Sequence, residues 1–153
     1  MYPGPSRRQR GVGLIEVLVA LLILSIGLLG ISLVQARALS SNNSSMGRSM
    51  AVVASYSILE AMRADRADAL GGAYNQTVTA DDDCTIGSTT ALATVQLAGW
   101  CAELRATLGA ATTTTGTVAC DGAGDCTITI LFDDSRIGAG GSDTMQVLTR
   151  AML

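Results

Sequence analysis

The chain has no histidine and no lysine; all ten of its basic residues are arginine. Without histidine, the commonest general base and the commonest transition-metal ligand are both missing. There is no GxSxG turn, no phosphate-binding glycine loop and no EF-hand spacing, so motifs assemble neither a catalytic set nor a calcium loop. The chain is therefore read as a non-enzyme with no cofactor and no metal. Cysteine is absent from the first 83 residues, and charge is absent from the 18 residues Val17–Val34. Beyond residue 70 the aromatics are Tyr74, Trp100 and Phe132, and three arginines face nine acids, a net charge of −6. An acidic part with few aromatics and no basic stripe argues against nucleic-acid binding.

What is present is concentrated near the N-terminus. Arg7, Arg8 and Arg10 precede Gly11-Val12-Gly13-Leu14-Ile15-Glu16, which runs straight into Val17–Val34. That run meets the length of a transmembrane helix, and Val12, Leu14 and Ile15 extend its reach across the hydrocarbon core. The three arginines place its N-terminal side in the cytoplasm, so the cysteine-bearing part lies outside. Glu16 is the anomaly. A carboxylate carried to the bilayer centre costs on the order of 3 kcal/mol, and an intramembrane acid calls for a function and a partner.

Other readings compete. Ala36-Arg37-Ala38 has the form of a small-x-small cleavage site for a secretory signal peptide. The apolar run is longer than such a signal uses, and Glu16 stands where the signal needs apolar residues. Ser6-Arg7-Arg8 invites a twin-arginine signal, with poor flanking residues. A plain signal anchor accounts for the span and the arginines but leaves Glu16 unexplained.

The segment Gly11-Val12-Gly13-Leu14-Ile15-Glu16-Val17-Leu18-Val19-Ala20-Leu21-Leu22 resembles the class III signal of type IV pilins and their relatives. The resemblance implies a leader that a prepilin peptidase removes by cutting after Gly11. Val12 then becomes the N-terminus and is N-methylated, and Glu16 is fifth in the mature chain. The family usually has phenylalanine where this chain has Val12. The physical logic agrees. Cleavage leaves a cationic amine at the membrane face, and Glu16 of a neighbouring subunit can neutralise it. Such a desolvated pair is favourable only when both partners are present, so it works as a docking register. Gly27 and Gly30, flanked by Ser25 and Ser32, allow close helix approach or a local bend, or are ordinary transmembrane glycines.

Four regions follow: a leader over 1–11, a transmembrane helix over 12–35, an amphipathic continuation over 36–70, and a disulfide-bonded globular domain over 71–153. In the continuation, apolar positions recur at Met46, Met50, Val53 or Ala54, Ile58, and Ala61 or Met62, the step of an amphipathic helix. Ser40–Ser45 is a trough of helix propensity within it, either an exposed face or a site that bends or melts. Gly71-Gly72 ends the helix near Leu70. Leu97, Trp100, Cys101, Leu104 and Leu108 mark a second helix with Gly109 as its stop. Thr117–Cys120 and Cys126–Phe132 read as strands about a turn-rich loop, with Ile128, Ile130 and Phe132 on one face. Met145–Met152 reads as the last strand. The Thr112–Thr115 tract reads as an exposed loop. Asp81-Asp82-Asp83, Asp121, Asp125 and Asp133-Asp134 read as solvated acidic surface.

An even cysteine count in a small domain beyond a membrane anchor reads as disulfides in an oxidising compartment. Cys84, Cys101, Cys120 and Cys126 allow three pairings. Cys120–Cys126 across the hairpin and Cys84–Cys101 onto the second helix are favoured, worth about 2 and about 3 kcal/mol by chain entropy. A zinc site is the rival, and the spacing lacks the tight CxxC pairs that structural zinc prefers.

The expected fold is α+β and pilin-like: a long N-terminal transmembrane helix packed on a small antiparallel sheet, with one extra short helix. The resemblance is closest to minor pilins of the PilV type. It implies a subunit that helps initiate type IV pilus assembly in a tip complex and supports twitching motility and adhesion. The implied partners are other minor pilins, the major pilin, the prepilin peptidase and the inner membrane. The implied location is the inner membrane, single-pass with the domain in the periplasm, then the extracellular pilus. The alternative is a minor pseudopilin of a type II secretion system. A signal-anchored periplasmic enzyme is more distant.

Overall fold

A computed structural model of the chain describes residues 13–81, 83–84, 91–135, 142 and 144–153. The elements run α1 (Leu14–Ala64), α2 (Arg66–Leu70), β1 (Thr77–Thr79), α3 (Leu92–Leu108), β2 (Thr115–Cys120), β3 (Asp125–Phe132) and β4 (Met145–Met152). The four strands form one antiparallel sheet in the order β1-β2-β3-β4. The fold is α+β, with the long apolar helix, the short helix and the sheet that the pilin resemblance implies. The chain divides into two compact units, Met1–Ala38 and Leu39–Leu153.

Within the second unit α1 is amphipathic. Ala51, Ala54, Ser55, Ile58, Leu59 and Met62 are buried, at the three- and four-residue steps that keep one helix face inward. The stripe begins later than the periodicity predicts, because Met46 is 58% exposed and Val53 also 58%, leaving Ala54 as the core residue of that pair. The serine tract is helical throughout. Ser45 and Ser49 hydroxyls donate to the carbonyls four residues back, at 3.0 Å each, as does buried Ser55 at 2.9 Å. The uninterrupted helix expected as far as Leu70 breaks at Asp65, and α2 adds a further five residues. Gly72, at φ 84°, then turns the chain where a side chain would be strained.

The sheet buries one face. Val78, Gly116, Ile130 and Val147 form one cross-strand row, and Val118 and Ile128 pair in the next. Ile128, Ile130 and Phe132 are buried, as their alternation predicts. The opposite face carries the row Thr77, Thr117, Thr129 and Leu148, with 2.8 Å between the Thr77 and Thr117 hydroxyls. β2 and β3 each start earlier than expected, and β1 was not foreseen. Thr114 in the expected exposed loop is buried; its carbonyl accepts the Ala80 N–H at 2.9 Å, and Thr115 opens β2.

Trp100 joins three elements. Its indole N–H donates to the Ala54 carbonyl of α1 at 2.9 Å, and its ring covers Gly116 of β2. A Cβ at Gly116 would lie 2.4 Å from Trp100 Cη2 and 2.7 Å from Leu104 Cδ1, well inside contact distance. Tyr74 makes a second clamp. It is fully buried, and its hydroxyl bonds Gln96 of α3 and the Asp65 carboxylate, the latter at 3.1 Å. Burial, the Asp65 hydrogen bond and the nearby Asp65 and Asp68 charges push the Tyr74 phenol well above its ordinary value.

Two outcomes follow from these clamps. Gly116→Ala should destabilise the second unit by about 1–3 kcal/mol through overpacking, seen as a lower urea midpoint in the fluorescence of the sole tryptophan. From about pH 10 upward the unfolded chain loses a tyrosine proton that folded Tyr74 keeps, so stability should fall with rising pH, by up to about 1.4 kcal/mol per unit. Tyr74→Phe should flatten that slope in urea titrations above and below pH 10; an unchanged slope refutes the clamp.

Candidate functional site

Hydrogen bonding in α1 starts from Gly13, whose carbonyl accepts the Glu16 N–H at 2.9 Å and the Val17 N–H at 3.4 Å. Glu16 therefore stands in the first turn, where the positive end of the helix dipole favours a carboxylate. Gly11 and Val12, where cleavage and N-methylation are expected, lie outside the described residues, as do Arg7, Arg8 and Arg10.

The span is bare. Every described residue from Gly13 to Leu39 is exposed, and Leu14 and Leu29 are 79% and 73% exposed. None of its most apolar window is buried within the chain, and by length and composition the helix can cross a membrane. A continuous apolar surface of this extent requires lipid or other chains to cover it. Gly27 and Gly30 fit that requirement: a Cβ at either would meet nothing within 4 Å. Among the described residues no contact demands glycine there, and the open space at both positions leaves room for a close approach from outside the chain.

Two polar groups in the span look after themselves. Ser25 and Ser32 hydroxyls donate to the Leu21 and Leu28 carbonyls at 2.7 and 2.9 Å. Glu16 differs. It is the single charge between Gly13 and Val34, and no hydrogen bond or ion pair joins its carboxylate to another described residue. The local geometry thus isolates one carboxylate at the head of an uncovered apolar helix.

The four cysteines of the second unit are consumed by two disulfides, Cys84–Cys101 and Cys120–Cys126. Among the described residues no cluster of three or more candidate ligands could hold a metal ion. Several of the described acids take part in turns and an ion pair. Asp121 Oδ1 accepts the Ala123 and Asp125 N–H groups at 3.0 and 2.9 Å, and Asp125 meets Arg150 at 3.3 Å. Asp81 Oδ1 accepts the Asp83 N–H at 3.2 Å; Asp82 lies outside the described residues.

Asp134 corrects the expectation of a solvated acidic surface. It is only 4% exposed, and its carboxylate accepts the Ser44 hydroxyl of α1 at 2.5 Å. Its N–H donates to the Ser142 carbonyl at 2.8 Å. A buried carboxylate needs such donors. The Ser/Asn tract, poor in helix propensity, is the sequence signal that could have pointed to this role. Beside this bond, α1, the end of α3 and the end of β3 line an open pocket of about 390 Å³.

A family model described as the prokaryotic N-terminal methylation motif matches residues 6–32. The match takes in both expected processing residues and the apolar span as far as Ser32, and it supports a type IV pilin-like reading of this N-terminal segment. Proteins of that kind are structural subunits, and the motif implies processing by a prepilin peptidase, assembly with other pilins and membrane anchoring. No curated protein and no solved structure matches the chain.

Ser44→Ala should leave the buried Asp134 carboxylate short of a donor and lower the stability of the second unit by about 1–3 kcal/mol. Ser44→Thr, which keeps the hydroxyl, should recover most of the loss. Equal unfolding midpoints for Ser44→Ala and the unaltered chain would show that the bond contributes nothing.

Proposed function

We propose that the chain is a minor pilin, nearest the PilV type, that helps initiate type IV pilus assembly. Glu16 is the observation that carries the proposal: a lone carboxylate in the first turn of an uncovered apolar helix, four residues beyond the expected N-terminus. Cleavage after Gly11 creates the Val12 amine, N-methylated in the mature subunit, and a neighbour's Glu16 neutralises it. The subunit sits in the inner membrane by one span with its disulfide-bonded domain in the periplasm. It then enters the extracellular pilus as part of a tip complex with other minor pilins and the major pilin, supporting twitching motility and adhesion. No step in this role is catalytic.

The motif over residues 6–32 fits a minor pseudopilin of a type II secretion system equally well, and that is the second reading. Deleting the gene separates the two. Loss of surface pili and twitching is the expected result, whereas intact pili with lost protein secretion would favour the pseudopilin.

Gly11→Trp should block cleavage and leave the precursor in the membrane. Glu16→Ala should be cleaved normally yet fail to enter filaments. Breaking a desolvated pair costs about 3 kcal/mol or more, so incorporation should drop by over about a hundredfold. Immunoblots of sheared pili measure this, and normal incorporation of Glu16→Ala would refute the docking role. Intact mass should show a chain starting at Val12 with one added methyl group.

A further inference from the structure

We propose that β4 is a docking edge for a second copy of this chain, the two β4 strands pairing antiparallel about Leu148. This contact is separate from the Glu16 pairing and does not depend on it.

The sheet ends in β1 on one side and β4 on the other. β1 is three residues long, and its Thr79 carbonyl lies 3.3 Å from Cys101 Sγ of α3. β4 is eight residues long and has no proline. A long edge strand is a template for another strand unless charge, proline or a covering element blunts it. The side chains of Gln146, Leu148, Arg150 and Met152 are exposed, Leu148 to 56%. Arg150 is the one charge on β4, and Asp125 engages it at 3.3 Å.

The ladder fixes which backbone groups face outward. Leu153 N–H donates to the Gly124 carbonyl at 3.0 Å, in step with the β3–β4 register. Hydrogen bonding alternates along an antiparallel strand. Val147, Thr149 and Ala151 therefore turn their N–H and C=O groups to β3, and Thr144, Gln146, Leu148, Arg150 and Met152 turn theirs outward. Both ends of that outward row are taken. The Ser142 hydroxyl bonds the N–H and the carbonyl of Thr144 at 3.2 Å each, and the Met152 carbonyl accepts an Arg63 Nη2 hydrogen at 3.4 Å. Among the described residues no hydrogen bond reaches the outward groups of Gln146, Leu148 and Arg150. The open stretch is thus symmetric about Leu148.

That symmetry selects the occupant, because a two-fold contact presents the same patch on both sides. Pairing centred on Leu148 sets Leu148 against its copy and Gln146 against the copy's Arg150, each facing pair exchanging two hydrogen bonds. On the inner face Met145 meets Ala151 and Val147 meets Thr149, which adds cover to side chains already partly buried. Centring on Arg150 would oppose two like charges. Centring on Gln146 would require Thr144, which Ser142 holds. The pairing also sets a direction. Gly47 of α1 lies by Phe132 at the end of β3, and Met62 Sδ lies 3.9 Å from Cys120 Sγ, whose residue faces Cys126 at the start of β3. α1 therefore runs back along β3. Half a turn about the sheet normal reverses it, so the contact joins copies whose α1 helices point opposite ways, unlike any side-by-side packing of parallel helices.

The test uses the full chain in detergent micelles, read by amide hydrogen exchange in NMR. Val147 and Thr149 amides, held by β3, should exchange slowly at every concentration. The Leu148 amide should exchange fast in dilute samples and slow about fivefold or more between micromolar and millimolar chain at constant detergent, as pairing removes the open form. Gln146 and Arg150 amides should follow it. Leu148→Pro removes an outward N–H that β3 does not use, a change an edge strand tolerates. It should abolish the concentration dependence at Gln146 and Arg150 with Trp100 fluorescence unchanged. Leu148→Arg, which keeps the backbone and opposes two like charges, should do the same. A Leu148 amide that is fast at all concentrations, or slow at every dilution because the chain covers its own edge, would overturn the proposal. Concentration dependence that survives Leu148→Arg would place the contact elsewhere and overturn it too. A Thr-Val-Thr-Val-Thr peptide that protects the same amides in dilute chain as well as a second copy does would overturn the choice of occupant.

Discussion

The second unit depends on one packing constraint, the wedge of Trp100 between α1 and the sheet. A bare strand position, Gly116, accepts the ring, and the Ala54 carbonyl accepts its N–H at 2.9 Å. An indole buried without a hydrogen-bond partner would be a liability, so the bond and the vacancy belong together. Leu104 shares the space over Gly116, which fixes the rotation of α3 about its own axis. Once α3 is set, Cys101 meets Cys84 and Gln96 meets Tyr74. Tyr74 in turn reaches Asp65, the residue at which α1 gives way to α2. The core is thus a chain of dependencies that starts at one aromatic side chain.

α1 serves two environments. From Leu14 to Val34 every side chain is bare and apolar except for Glu16 and two self-bonded serines. Over its last part it buries a single stripe from Ala51 to Met62. The serine and asparagine tract lies between these parts, and there the helix exchanges an apolar function for a polar one by offering Ser44 to Asp134. The N-terminal methylation motif over residues 6–32 bears on the first part alone. The second part rests on its packing within the Leu39–Leu153 unit.

How much of this was legible in the sequence depended on the range of the interaction. The β3 alternation of Ile128, Ile130 and Phe132 and the α3 stripe from Leu97 to Leu108 are local patterns, and both appear as read. The start of α3 at Leu92 was not readable, since Ala91 supplies no capping side chain. β1 is three residues long and exists through its pairing with β2, which no periodicity over Thr77–Thr79 reveals. The break at Asp65 lies in a helical pattern without glycine or proline, and its aspartate is held by Tyr74 from nine residues on. Asp134 reads as surface because acids usually are; its burial rests on a serine ninety positions away. At the head of α1, by contrast, Glu16 was conspicuous, since a carboxylate in an apolar run is an exception that composition alone displays.

The serines of α1 carry a further consequence. Ser25, Ser32, Ser45, Ser49 and Ser55 each donate to the carbonyl one turn back. A hydroxyl satisfied within its own helix makes no demand on the medium around it. Lipid, water and a protein neighbour are nearly equivalent surroundings for such a side chain. The helix therefore carries its own solvation along much of its length, and a change of medium is felt by its apolar surface and by Glu16 rather than by its hydroxyls. Over Leu14–Val34, movement from one phase to another is then governed by the apolar surface and by one charged group, Glu16, which makes this part of α1 portable between solvents in a way that a helix with outward-seeking polar side chains is not.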